Sequence, residues 1–90
     1  MLTVKEIKEA LGHSVDQVSR LRDGSIIARQ GYFYRQDKTC ETFMLAASEK
    51  LNRAGLSFNV IDYYDHWAPF RGGDSIAKGS HFAVVFKSKE

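Results

Sequence analysis

The side chains suited to proton chemistry near neutral pH are three histidines, His13, His66 and His81, and the single cysteine, Cys40. Ser80-His81 and Cys40-Glu41 are the adjacent pairs that resemble nucleophile chemistry. Catalytic groups meet in space, however, and adjacency along the chain does not assemble them. No nucleophile elbow occurs. Asp62, Asp65, His66 and His81 are residue types that hold cations. In an extended segment, positions three apart point to opposite faces, and neither the cysteines nor the tight histidine spacing of zinc sites is present. They read as ordinary polar residues of strands and their flanks. Cys40 stands near the start of a predicted helix, where the dipole lowers a thiol's pKa; a small buried cysteine is the commoner role. No catalytic set, metal site or cofactor is expected.

Two further stretches bear on ligands. Gly73-Asp74-Ser75-Ile76-Ala77-Lys78-Gly79-Ser80 has the ingredients of a phosphate loop in the wrong order. Lys78 precedes Gly79 and a strand follows, whereas a P-loop runs Gly-Lys-Ser into a helix. Nucleotide hydrolysis is therefore rejected. The surrounding segment, residues 66–80, still brings Trp67, Phe70, Arg71 and Lys78 together in a loop-like context, the pattern of a partner-contacting surface. Arg29-Gln30-Gly31-Tyr32-Phe33-Tyr34-Arg35 interleaves basic and aromatic residues as RNA-stacking strands do. Alternation sets Phe33 against Tyr32 and Tyr34, so one set packs inward and a half-buried strand is expected.

The elements that must position these residues follow from spacing. Thr3-Val4-Lys5-Glu6 has the form of a capping box, with Val4, Ile7, Ala10 and Leu11 at helical spacing and Gly12 as the stop. Ser14-Val15-Asp16-Gln17 repeats the capping form, Val15, Val18 and Leu21 follow three apart, and Gly24 closes the segment. Two short helices over 3–11 and 14–22 are thus predicted. Residues 25–35 change to β-forming types around Gln30-Gly31, which suits a hairpin turn. Residues 39–54 return to helix with Phe43, Ala47, Leu51 and Ala54 on one stripe and Gly55 beyond. Residues 57–64 and 82–87 read as strands. The expected fold is α+β: two short N-terminal helices, a β-hairpin, and a longer helix packed on a small, mainly antiparallel sheet.

Residues 7–24, with Ile7 and Leu11 facing inward, Gly12 at the turn, Ser14 capping and Val18 and Leu21 buried, resemble a helix-turn-helix DNA-binding unit. The resemblance covers residues 3–36, about a third of the chain, and implies that residues 14–22 enter the major groove. Gln17, Ser19 and Arg20, with Asp16, would then lie near base edges. Arg22, with Lys5 and Lys8, would meet phosphates. Arg29 and Arg35 would sit on the hairpin where winged members of the class carry a wing. A homodimer is the usual way such a short recognition helix gains affinity.

Composition sets the frame for these expectations. Ninety residues, 43% hydrophobic and 27% charged, suit one domain over 1–90, with the helix-turn-helix-like part at 3–36 and a helix plus two strands at 37–90. A formal charge of +2 excludes both a strongly basic chain and an acidic tail. The excess lies in residues 1–38, where seven Lys and Arg meet five Asp and Glu; residues 39–90 hold six of each. One cysteine forms no internal disulfide, which fits a reducing compartment. No apolar run reaches signal-peptide or membrane-span length, so the cytoplasm is expected. The leading expectation is a small regulatory protein that binds double-stranded DNA and is not an enzyme. The alternative is a module that binds a protein partner through the 66–80 loop or a sheet edge.

Overall fold

Residues 2–31, 39–67 and 80–89 are described by the computed structural model of the chain. Helix α1 (Val4–Leu11) starts as its sequence requires: the Thr3 hydroxyl accepts the Glu6 N–H, and the Glu6 carboxylate accepts the Thr3 N–H. It ends at Gly12, whose φ of 57° lies where side chains are disfavoured. A 3-10 turn over Gly12–Ser14 follows. Helix α2 (Cys40–Arg53) is capped by Thr39 and Thr42, each hydroxyl accepting the other's main-chain N–H. The strands are β1 (Gln17–Arg20), β2 (Ile26–Gln30), β3 (Phe58–Trp67) and β4 (Ser80–Ser88). They form one antiparallel sheet in the order β1-β2-β4-β3.

The α+β class and the antiparallel sheet under a long helix agree with expectation, but the second N-terminal helix does not form. Residues 14–22 are the end of a 3-10 turn, strand β1 and the start of a hairpin turn. Ser14 does not cap a helix. Its hydroxyl donates back to the Leu11 carbonyl, and its own carbonyl accepts from the Gln30 side chain. The Asp16 N–H donates to the Arg29 carbonyl, 2.8 Å away, and the Asp16 carboxylate accepts the Gly31 N–H. Pairing with β2 therefore satisfies the groups that helix formation would have used. Gly24, read as a helix stop, instead closes a hairpin turn with φ 90°. Its N–H reaches the Leu21 carbonyl, Leu21 N–H bonds the Ser25 carbonyl, and Asp23 accepts both donors of Ser25. The expected hairpin partner of β2 also changes. Residues 26–30 pair with β1 on one side and β4 on the other.

Strand alternation divides the sheet cleanly. Val18, Ile26, Ala28, Phe82, Val84 and Phe86 face the helices and are buried with Ile7 and Leu11 of α1 and Phe43, Ala47 and Leu51 of α2. Phe43 stacks on Phe82 with ring centres 6.0 Å apart, and Phe58 meets Phe86 edge-on at 5.5 Å. The other face carries a smaller buried cluster of Ile27, Ala83 and Val85, with Tyr64 against it. The order helix-strand-strand occurs twice, as α1-β1-β2 and α2-β3-β4. In the sheet, β2 and β4 are antiparallel neighbours at the centre, and β1 and β3 lie outermost among the described strands.

Candidate functional site

The residues expected to read DNA are spread over two faces. Gln17 and Arg29 are register partners on the face away from the helices, where an Arg29 N–H donates to the Gln17 side-chain oxygen at 3.5 Å. Ser19 shares that face by alternation. Arg20 points the other way and is occupied by backbone. It donates to the Gly24 carbonyl at 3.0 Å and to the Leu2 carbonyl at 3.3 Å, tying the hairpin turn to the N-terminal segment. Leu2 is anchored from its other side by the Ser88 hydroxyl, 2.7 Å from the Leu2 nitrogen. Arg22 lies in the exposed turn. Arg35, with the Tyr32-Phe33-Tyr34 run, lies outside the described residues.

Of the groups suited to catalysis, the sheet register brings two histidines to neighbouring positions. His13 is exposed beside α1, whereas His81 is buried in the sheet, where the register sets it opposite His66. Cys40 is half-buried, and its thiol donates to the Ala83 carbonyl at 3.7 Å. Among the described residues, no three His, Cys, Asp or Glu side chains gather as a cation site requires. Asp23 is held below the usual carboxylate range, chiefly by the Ser25 hydroxyl and then by the Ser25 N–H, with a smaller contribution from Lys87. That arrangement shapes the turn.

Two hollows of about 330 Å³ flank the helices. One lies between α2 and the end of β2, lined by Ser14, Gln30, Thr42, Phe43, Ala47 and Lys50 among others. Gln30 is 4% exposed there. Its amide N–H donates to the Ser14 carbonyl at 2.9 Å, but its Oε1 meets no hydrogen-bond donor among the described residues. The second hollow lies between Glu6, Glu9 and Ala10 of α1 and Ala54 and Leu56 beyond α2.

The feature with the clearest capacity to bind is β3. It is ten residues long and outermost among the described strands, while the other outer strand, β1, has only four. An outer strand offers a row of main-chain donors and acceptors to another chain. Ile61 is 50% exposed and Tyr63 41%, so the strand also presents apolar side chains. A register shift between Val60 and Asp62 marks a bulge at Ile61, which turns the local edge. The Asp62 carboxylate accepts the Tyr63 N–H at 2.9 Å, covering one main-chain donor with a displaceable side chain. Of the residues expected to contact a partner, Trp67 ends β3, and Phe70, Arg71 and Lys78 lie outside the described residues. Ile61 and Tyr63 were not singled out from sequence, and Asp62 was weighed only as a cation-holding residue type. The signal was there in part: the aromatic and β-branched residues of this run read as a strand over 57–64, though not as an outer one. No protein-family model, curated protein or solved structure matches the chain.

Proposed function

We propose that the protein is an interaction module that binds an extended segment of a partner protein along β3. The observation that carries this reading is the length and exposure of that outer strand, with Ile61 and Tyr63 presented beside it. Strand addition supplies main-chain hydrogen bonds for affinity and alternate side chains for specificity. The other outer strand, β1, offers less than half the length.

The test is affinity capture from a lysate with the wild-type chain and with Ile61→Lys, Tyr63→Lys, Arg20→Ala and Arg29→Ala. The first two place charge at exposed positions and spare the core. Strand addition requires one protein species to be captured by the wild-type and both arginine variants and lost from both lysine variants. Capture of duplex DNA instead, abolished by Arg29→Ala, refutes it. So does capture that is indifferent to Ile61 and Tyr63.

A further inference from the structure

We infer that the segment accepted by β3 is basic, placing a lysine or arginine against Asp62; this rests on the strand-addition reading above. Between Phe58 and Trp67 the chain carries two carboxylates, Asp62 and Asp65, and no lysine or arginine. Asp62, the one the proposal rests on, is exposed. Asp62 sits in the middle of the strand, opposite Val85 of β4, immediately after the bulge. Its carboxylate is held against the Tyr63 N–H. An incoming strand that takes over this donor sets the carboxylate free, and a released carboxylate at a partly desolvated edge favours a cation beside it. An acidic segment meets the opposite situation, since like charges facing each other across paired strands are destabilising. The same carboxylate therefore covers the edge when it is alone and selects the charge of what covers it.

The side chains beside Asp62 sharpen the ligand class. Ile61 and Tyr63 flank it and are both substantially exposed. A segment that alternates basic residues with β-branched or aromatic ones matches this sequence of a carboxylate between two apolar side chains, because strand neighbours alternate in direction. The ligand class is an extended, basic, alternating peptide.

The probes are three fluorescent ten-residue peptides with alternating valines, the intervening positions being Lys, Gln or Glu. Fluorescence anisotropy is measured on the full chain and on Asp62→Asn. Asparagine keeps an oxygen for the Tyr63 N–H but removes the charge, so the edge stays covered as before. Exposed ion pairs are weak, so the lysine peptide is expected to bind only about 1.4- to 5-fold tighter than the glutamine peptide. The glutamate peptide is expected to bind weakest, and added salt is expected to narrow the spread. Asp62→Asn is expected to remove most of the lysine advantage over the glutamine peptide. Equal affinity for all three peptides overturns the charge inference while leaving strand addition standing. A lysine preference that survives Asp62→Asn overturns it too. If none of the peptides binds, strand addition fails and the inference falls with it.

Discussion

Replacing Gln30 with methionine, nearly isosteric but without the amide, is expected to leave the protein as stable as before or more stable. Gln30 is 4% exposed, and among the described residues only one side of its amide is satisfied. The bond from Nε2 to the Ser14 carbonyl contributes about 0.5–1.5 kcal/mol, whereas a buried acceptor left without a donor costs about 1–3 kcal/mol. Methionine removes both terms and retains the flexible stem, so side-chain ordering changes little. Ser14 is half-buried, and water can replace the lost donor at its carbonyl. The net change is therefore between neutral and a gain of about 2 kcal/mol. At about 4–8 °C per kcal/mol for a domain of this size, the melting temperature moves up by as much as about 15 °C. Urea denaturation followed by circular dichroism, with the slope unchanged from wild type, measures it. A loss greater than about 1 kcal/mol refutes the reasoning, because Oε1 must then have been contributing to stability.

Other parts of the fold give equally direct expectations. Leu51→Ala removes three buried carbons at about 0.8 kcal/mol each and leaves a cavity, so a loss of about 3–4 kcal/mol is expected; Leu45→Ala, at a site 56% exposed, is expected to stay within about 0.5 kcal/mol. Equal effects in the same urea assay would show that α2 packs on a different face. Gly24→Ala meets no atom within 4 Å of the new Cβ, so its cost is that of the left-handed backbone alone, about 1–2 kcal/mol; no loss on thermal melting would mean the turn has another conformation. Asp23 is held below its usual range by Ser25, so its contribution is complete above the unfolded-state value and disappears as pH falls through the folded one. Asp23→Asn is expected to flatten the acid limb of the stability profile, and identical limbs would contradict the Ser25 bond.

What could be read from the sequence was whatever local chemistry decides. Thr3 with Glu6 and Thr39 with a stripe of Phe43, Ala47 and Leu51 specify two helices, and both occur within one residue of the expected limits at each end. The failure at residues 14–22 has a physical cause. Val15, Val18 and Leu21 three apart fit a helix, but the segment is short, and isolated short helices gain little from propensity alone. Pairing of Gln17–Arg20 with β2 won, and only Val18 of the strand is buried. Asp23-Gly24, a strong hairpin signal just before the β-branched pair Ile26-Ile27, pointed to this outcome. The role of β3 was hidden for a different reason. Residues 57–64 already read as a strand, but an outer position depends on sheet order, which is set by long-range pairing of β2 with β4. The face division of Arg20 and Arg29 likewise depends on register, which the sequence alone does not give.

The central claim is that a partner strand lies along β3, and amide hydrogen exchange on the captured complex tests it most directly. Residues 58–67 are expected to gain protection when the partner binds, with residues 17–20 of β1 unchanged. Protection confined to β1 and its turn, with β3 exchanging as in the free chain, would contradict it.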